Sequence, residues 1–363
     1  MHVTILMGSN SPERDVSLRS AAAVGAALER SGHTVRLIDI PSVRAVIELD
    51  FGGTDLVFPA LHGGDGEDGH VQALLEIIGV PYVFSGPLAS SVAMDKAAAK
   101  RIMIGAGIAT PDWLLVTWDR AASGPVALSG QPPPKAGVAG GRRRRADAGG
   151  AAVLSLEHIQ ARAGDELGYP VVVKLNGGGS SVGVAIVEEP GAFAGAFEQV
   201  AAAATGQQAG ILVERFIPGR ELTAAVLLGR RLPLLEIRPH TGFYDYQNKY
   251  TQGATEYLVP APVHSPHYEK MCADALQLYD LLGCQGVARV DFRFDSKHHY
   301  CLEINTIPGL TELSLVPMAA RAVGISFEAM VEDLCRDALL RAGRPTRIRT
   351  PGDPDGATRA GSS

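Results

Sequence analysis

The sequence has few cysteines, no long apolar run and little excess charge. Its four cysteines show no CxxC spacing, which argues against a disulfide framework or a zinc site and favours small buried side chains. They are Cys272, Cys284, Cys301 and Cys335. No run of about eighteen apolar residues occurs and the start, MHVTILMGSN, has no basic segment, so we expect a cytoplasmic protein that does not span a membrane. A net charge of -6 gives no support for a nucleic-acid partner.

The overall composition is that of a soluble globular protein, with 46% apolar and 20% charged residues, and 363 residues leave room for two or three domains. Two segments differ from this average. Between Ala121 and Ala152 the chain is rich in Gly, Pro and Ala and cannot bury a core, so we expect a disordered insertion. Its Arg142–Arg145 run is typical of a solvated loop, with an anionic partner as the alternative. The polar tail, 343–363, is also expected to be disordered.

The amino-terminal part of the chain predicts alternating strands and helices. Strands are expected at Val3–Met7 and Val35–Ile38, with an Ala-rich helix, Val16–Arg30, between them. This βαβ order predicts a parallel sheet covered by helices. A further strand, Asp55–Leu61, leads into the loop His62–Gly69, and loops at the carboxyl ends of parallel strands are where ligands bind.

A glycine-rich loop separates two predicted strands in the middle of the chain. The loop, Asn176–Gly183, lies between Pro170–Leu175 and Val184–Val187, and its backbone amides could approach an anion without side chains in the way. No GK[ST] follows, so this is not a Walker loop. Lys174, at the end of the preceding strand, adds a positive charge. Taken alone, these residues fit either a phosphate-binding loop or an ordinary surface loop.

The bend at 213–221, VERFIPGRE, joins two predicted strands and carries a carboxylate on either side. It could present Glu214 and the neighbouring backbone to an adenine, and Glu221 to ribose hydroxyls. A plain connection with exposed charges fits the same segment equally well.

The stretch 287–309 predicts a β-hairpin whose polar side chains share one face. On that face Asp291 falls opposite Glu303, and Arg289 opposite Asn305. The other face pairs apolar side chains, namely Val290 with Ile304, Phe292 with Leu302, and Phe294 with Tyr300. Carboxylate and amide oxygens crowded in this way are typical of a Mg²⁺ site that bridges to substrate phosphates, although a solvated outer face would carry similar residues.

Several motifs, in this order along the chain, resemble a known superfamily. Lys96, Lys174 with GGGSSVG, ERFIPGRE, RVDF and LEINTIPG resemble the ATP-grasp proteins. Within these, SPERDVS, LHGGDGEDG, MDK, FYDYQNKY and NTIPGLTELSLVP are similar to the D-alanine–D-alanine ligases. The resemblance implies a mixed α/β and α+β ATP-grasp fold: an amino-terminal parallel-sheet domain at 1–93, a central subdomain at 94–209, and a carboxy-terminal subdomain at 210–342 with the metal and substrate site.

The resemblance also implies roles for individual residues. Two Mg²⁺ or Mn²⁺ ions would be held by Asp291, Glu303 and Asn305. ATP would be bound by Lys96, Lys174, Ser180, Ser181, Glu214, Phe216, Ile217, Glu221 and Lys249. The first D-alanine would meet Glu13 and His62, the second Ser314 and Leu315, and the oxyanion Arg289 and the Gly309 amide. Hydrogen bonds among Glu13, Ser180 and Tyr250 would close the site, and the segment His240–Glu256 has the length and aromatic content of a lid.

The implied function is an ATP-dependent ligase that makes D-alanyl-D-alanine through an acyl phosphate for peptidoglycan synthesis, with a homodimer usual among relatives. Alternatives are a D-alanine–D-lactate or D-alanine–D-serine ligase, an ATP-grasp ligase for unrelated acids, and a nucleotide-binding module that has lost catalysis. Tyr250 after Lys249 resembles the dipeptide-forming enzymes. The chain departs from the family pattern at Ser9, where a glycine is usual, at Leu175 in place of proline, and at Gly178 in place of glutamate.

Overall fold

The computed structural model describes residues 1–119, 124–130, 155–179, 183–204, 208–240 and 255–343. The amino-terminal region forms a three-stranded parallel sheet in the order β2-β1-β3. Its elements are β1 (His2–Gly8), α1 (Arg14–Arg30), β2 (Thr34–Ile40), β3 (Leu56–Pro59) and α2 (His70–Ile78). The predicted βαβ opening is confirmed. The apolar side of α1 is buried because it packs on this sheet.

The middle region forms a five-stranded antiparallel sheet in the order β5-β4-β8-β6-β7. Its elements, with the two helices that precede it, are α3 (Pro87–Met94), α4 (Lys96–Gly105), β4 (Trp113–Asp119), β5 (Gly124–Ser129), α5 (Leu156–Glu166), β6 (Val171–Leu175), β7 (Val184–Val187), α6 (Phe193–Ala202) and β8 (Gln208–Arg215). Buried side chains of α5 and α6 pack with those of the sheet in one core.

Strand β5 corrects the prediction of disorder across Ala121–Ala152. Gly124–Ser129 pair with β4 along the edge of the middle sheet, and Leu128 packs against its core. The average composition of the segment concealed these few residues, because an edge strand needs only backbone hydrogen bonds on one side and an occasional apolar side chain. The stretch 131–152 lies outside the described residues, as do 344–363 of the tail.

The carboxy-terminal region forms an antiparallel sheet in the order β12-β11-β9-β13-β14, with β10 paired to β9. Its elements are β9 (Arg220–Leu227), β10 (Arg230–Arg231), β11 (Leu235–Pro239), β12 (Thr255–Leu258), α7 (His267–Leu282), β13 (Val287–Phe294), β14 (His299–Asn305), α8 (Leu315–Arg321) and α9 (Phe327–Arg341). The last two residues of the expected lid, His240–Glu256, belong to β12, whereas 241–254 lie outside the described residues.

Two of the hydrophobic clusters join different regions. Helix α1 packs on α9, so buried side chains of the first and last regions form one cluster. The expected boundary at 209/210 falls inside β8, which belongs to the middle sheet. All four cysteines are buried and unbridged, as expected. Among the residues that the structure describes, no helix is both long and apolar enough to cross a bilayer.

The hairpin β13–β14 follows the predicted register only in part. Asp291 lies opposite Glu303 and Arg289 opposite Asn305, as predicted. A β-bulge follows Asp291, so Phe292 pairs with Cys301 and Phe294 with His299, and the predicted partners Leu302 and Tyr300 are wrong. The bulge inserts one extra residue in β14, which turns Leu302 towards the same cleft as its neighbour Glu303.

Candidate active site

A cleft of about 1340 Å³ is lined by side chains from all three regions. Every predicted site residue within the described residues lines it: Glu13, His62, Lys96, Lys174, Glu214, Phe216, Ile217, Glu221, Arg289, Asp291, Glu303, Asn305, Gly309, Ser314 and Leu315. The other predicted site residues, Ser180, Ser181, Lys249 and Tyr250, lie outside the described residues. Motifs distant in the sequence therefore converge on one cavity, large enough for a nucleotide and two small molecules.

The polar face of the hairpin lies on one side of this cleft. Arg289 donates to both oxygens of Asp291, with Nη2 at 2.9 Å from Oδ2, and Thr223 Oγ1 donates to Oδ1 at 2.7 Å. Glu303 lies 3.2 Å from the ammonium of Lys96. Arg289 was predicted to face an oxyanion, and in the structure it is paired with Asp291. Its guanidinium thus forms an ion pair with one of the predicted metal-binding carboxylates, and the oxyanion role stays a prediction.

The oxygens of Asp291, Glu303 and Asn305 fit the requirements of a hard divalent cation. The two carboxylates face each other across the hairpin, and their side chains are 17% and 33% exposed to the cleft. Asn305 Oδ1 accepts a hydrogen bond from the Ile307 amide at 2.8 Å, which fixes the side-chain oxygen at the strand end. A carboxylate offers several lone pairs, so a cation can share these groups with the neighbouring arginine and lysine.

The glycine-rich loop is anchored to the start of α4. Asp95 caps this helix by accepting from the Ala98 amide at 2.8 Å, and it also accepts from Asn176 Nδ2 at 2.9 Å. Asn176 Oδ1 in turn accepts from the Ala97 amide. Lys96 Nζ donates to the Gly178 carbonyl at 2.5 Å. The MDK motif and the loop thus form one unit, which explains why Lys96 points into the cleft.

Glu214, the predicted adenine contact, is held between two lysines. Lys174 Nζ lies 2.5 Å from one of its oxygens and Lys100 Nζ 2.9 Å from the other, and the Lys100 side chain is fully buried. Burial disfavours the charged form of Glu214, but Lys100 and Lys174 outweigh it and hold the pKa of this carboxyl below its usual value. Burial lowers the pKa of Lys100, against the attraction of Glu214. Thr110 Oγ1 accepts from Lys100 at 2.7 Å.

The bend between β8 and β9 lies next to the hairpin. Gly219 has φ of +107°, and a β-carbon there would lie 2.2 Å from the Phe294 carbonyl oxygen, so only glycine fits. Arg293 on β13 donates to the Ile217 carbonyl at 3.1 Å and lies 3.3 Å from Glu221 Oε2. The close approach of the bend to β13 therefore brings the predicted adenine and ribose contacts next to the polar face of the hairpin.

The amino-terminal region supplies the far side of the cleft. Glu13 precedes α1 but makes no side-chain capping bond to it. Its carboxylate instead faces two loops, because a β-carbon at Gly63 would lie 3.1 Å from Oε2 and one at Gly179 would lie 3.4 Å from Oε1. His62 lies 3.0 Å from Ser20 Oγ and 3.4 Å from Glu67. The Glu13 carboxylate therefore lies between the loop that follows β3 and the glycine-rich loop.

The loop after β14 brings Gly309 next to Ser314. Ser314 Oγ accepts from the Thr311 amide at 3.0 Å and lies 2.9 Å from Thr311 Oγ1. A β-carbon at Gly309 would lie 3.1 Å from Ser314 Oγ. The residues predicted for the oxyanion and for the second amino acid are therefore neighbours.

Comparison with known proteins decides the family. Residues 44–85 match the D-ala D-ala ligase N-terminus family and residues 150–336 the D-ala D-ala ligase C-terminus family. D-alanine--D-alanine ligase from Desulforudis audaxviator is 45% identical over 340 residues, covering 92% of this chain and 97% of that protein. The same enzyme from Syntrophotalea carbinolica is 41% identical over 339 residues, covering 93% and 96%. The chain belongs to the D-alanine–D-alanine ligase family.

A solved structure from this family has the same fold. D-alanine--D-alanine ligase from Bacillus anthracis, complexed with ATP, superimposes with a TM-score of 0.74 at 28% identity, covering 94% of this chain and 99% of that one. The ATP-grasp fold and the predicted family are thus confirmed, and the chain is an ATP-dependent ligase of the D-alanine–D-alanine ligase family.

Some residues in the cleft, or in contact with the side chains that line it, were not predicted from the sequence. Arg293 lies two positions after Asp291 and four after Arg289, so the alternation of side chains along the strand would have placed it on the same face. Lys100 lies one helical turn after Lys96, but this spacing does not predict its ion pair with Glu214. Leu302 enters the cleft through the bulge. The contact between Thr223 and Asp291 depends on the pairing of β9 with β13, which spans distant parts of the chain.

Proposed function

We propose that this chain joins two D-alanine molecules into D-alanyl-D-alanine and converts ATP to ADP and phosphate. The observation that carries the proposal is the convergence, in one cleft, of the family's motifs from all three regions. A decayed nucleotide-binding module would have lost some of these side chains. Tyr250 after Lys249 favours the dipeptide over an ester product.

The chemistry requires two transfers at adjacent points. The carboxylate of the first D-alanine attacks the γ-phosphorus of ATP, giving an acyl phosphate and ADP. The amine of the second D-alanine then attacks the acyl carbon, the C–O bond to phosphate breaks, and a proton leaves the nitrogen. Both steps gather negative charge, so cations aimed at the site lower the barrier. Lys96, Lys174 and Arg289 line the cleft with the required sign.

Two Mg²⁺ or Mn²⁺ ions would be held by Asp291, Glu303 and Asn305. When bound, they would neutralise charge on the ATP phosphates. Lys96, whose ammonium lies 3.2 Å from Glu303, would add its positive charge beside the same phosphates. At the nucleotide end, Glu214, Phe216, Ile217 and Glu221 would hold adenine and ribose.

The amino-acid end of the cleft has the groups that two zwitterions need. Glu13 and His62 would bind the ammonium of the first D-alanine, and Glu13 is well suited because it is a buried carboxylate, 6% exposed. Ser314 and Leu315 would bind the carboxylate of the second. Arg289 and the Gly309 amide would stabilise the tetrahedral oxyanion.

An acyl phosphate hydrolyses readily, so the closed site has to exclude water. Ser180, Ser181, Lys249 and Tyr250 would act in this closure. The position of the glycine-rich loop supports it, because a β-carbon at Gly179 would lie 3.4 Å from Glu13 Oε1. A cytoplasmic homodimer that supplies peptidoglycan synthesis is the biological setting we propose.

The test measures ADP release with ATP and Mg²⁺ in three mixtures at neutral pH: D-alanine alone, D-alanine with D-lactate, and D-alanine with D-serine. We expect full turnover with D-alanine alone and no acceleration by the other acceptors. Turnover only in one mixed reaction would assign a different second substrate. No dependence on D-alanine in any mixture would contradict the proposed function.

A further inference from the structure

Arg293 makes three contacts with the bend that joins β8 to β9. Its Nε donates to the Ile217 carbonyl at 3.1 Å, and its Nη1 lies 3.3 Å from Glu221 Oε2. Its guanidinium carbon lies 5.9 Å from the centre of the Phe216 ring, within cation–π range. The side chain is only 15% exposed, so these contacts are shielded from water.

The pairing of two strands places Arg293 beside Glu221. Strands β9 and β13 are antiparallel, with Arg293 directly opposite Glu221 and Asp291 directly opposite Thr223. Arg293 is therefore two residues from Asp291 on one strand, and faces Glu221, the predicted ribose contact, on the other. Its side chain thus contacts both Ile217 and Glu221, the predicted nucleotide contacts, from a strand that also carries Asp291.

The guanidinium of Arg293 makes hydrogen bonds that packing of the cleft alone would not require. Apolar side chains such as Leu302, Ile186 and Ile237 line other parts of the same cleft, and an unbranched apolar side chain could have filled the place of Arg293. Arginine instead offers a rigid fork of donors that can hold a carboxylate and a carbonyl together. A carboxylate such as that of Glu221 can in turn accept hydrogen bonds from hydroxyl groups.

We propose that Arg293 is a positioning residue that makes the site select a ribonucleotide. It holds the Glu221 carboxylate in the plane in which it accepts hydrogen bonds from the ribose hydroxyls, and it fixes the Ile217 carbonyl and the Phe216 ring beside the base. This inference rests on the proposed nucleotide role of Glu221. It adds that ribose selection depends on a residue that need not touch the sugar.

The experiment uses equilibrium binding of ATP and 2′-deoxyATP to the full chain with Mg²⁺ and without D-alanine, so that it does not depend on ligase turnover. A hydrogen bond to a charged group predicts that the wild-type protein binds ATP about tenfold more tightly than 2′-deoxyATP. Arg293→Met should bind ATP about tenfold more weakly and lose most of this preference. Arg293→Lys, which keeps the charge without the fork, should lie between the two.

Two controls separate positioning from folding. Arg230→Met makes the same change at an exposed arginine of β10 and should leave both affinities within twofold. Glu221→Gln should lose the preference as Arg293→Met does, and the double variant should lose no more. In steady state, Arg293→Met should raise KM for ATP about tenfold while kcat and KM for D-alanine stay within twofold.

A wild-type preference for ATP that survives in Arg293→Met would overturn the inference, as would a preference that survives in Glu221→Gln. Ribose selection that depends on Arg293 would support it even if the protein formed no dipeptide. In that case the proposed function alone would fail, because binding is measured apart from the reaction.

Discussion

Replacing Lys100 by methionine tests whether the buried lysines hold Glu214 in place. Lys100 is fully buried and lies 2.9 Å from Glu214, whose own side chain is 3% exposed. Removing one partner of a buried ion pair costs about 3–5 kcal/mol, because the other charge stays buried. Glu214 keeps Lys174 at 2.5 Å, so we expect the lower end, about 3 kcal/mol.

Tryptophan fluorescence can measure this loss of unfolding free energy close to Glu214. The only two tryptophans, Trp113 and Trp118, both lie on β4, and Trp113 pairs directly with Glu214 on β8. With a denaturant slope of about 3 kcal/mol per molar urea, the unfolding midpoint of Lys100→Met should fall by roughly 1 M. In a Glu214→Gln background the same change should cost clearly less, since the buried anion is gone.

Lys297→Met is the matched control. Lys297 is exposed in the turn between β13 and β14, so its replacement should change the unfolding free energy by less than about 0.5 kcal/mol. A midpoint for Lys100→Met that equals the control would refute the reasoning, because the buried charge of Glu214 would then need no second cation.

Three further changes have definite expected results. Asp291→Asn should lower kcat more than about 100-fold with an unchanged circular dichroism spectrum, and near-normal turnover would contradict the metal assignment. Ser9→Gly should raise the unfolding free energy by about 0.5–1 kcal/mol in a thermal melt, because Ser9 has φ of +71°; a lower melting temperature would argue against strain. Burial alone would raise the pKa of Asp274, but His299 and Lys270 outweigh it and lower this pKa. The ionised carboxylate therefore stabilises the fold at pH values above its ordinary pKa of 3.8. At pH 7 the urea midpoint of Asp274→Asn should lie below that of the wild type, and the difference should close as the pH falls below 3.8. A difference that does not change with pH would contradict this.

The site was predictable from the sequence where its residues are fixed by local periodicity. Alternation along β13 and β14 placed Asp291 opposite Glu303, since side chains of a strand alternate between two faces. Beyond Asp291 the same rule failed, because a bulge depends on how the hairpin packs on its neighbours and has no clear local pattern here. Leu302 entered the cleft for that reason.

Contacts between distant elements were not predictable in the same way. Glu214 was expected to face adenine, and nothing near it in the sequence indicated a buried lysine from α4. The pairing of Thr223 with Asp291 and of Glu221 with Arg293 likewise follows from the placement of β9 beside β13, which only the folded sheet reveals. The strand Gly124–Ser129 was missed because composition was averaged over a much longer segment.

The most direct test of dipeptide formation through an acyl phosphate follows oxygen atoms through the reaction. The protein is incubated with ATP, Mg²⁺ and D-alanine whose carboxylate oxygens are both ¹⁸O, and the products are examined by mass spectrometry. Attack of the carboxylate on the γ-phosphorus should give D-alanyl-D-alanine together with inorganic phosphate. The phosphate should carry one ¹⁸O atom, because one carboxylate oxygen leaves with it. Unlabelled phosphate, or labelled phosphate without the dipeptide, would contradict the proposed reaction.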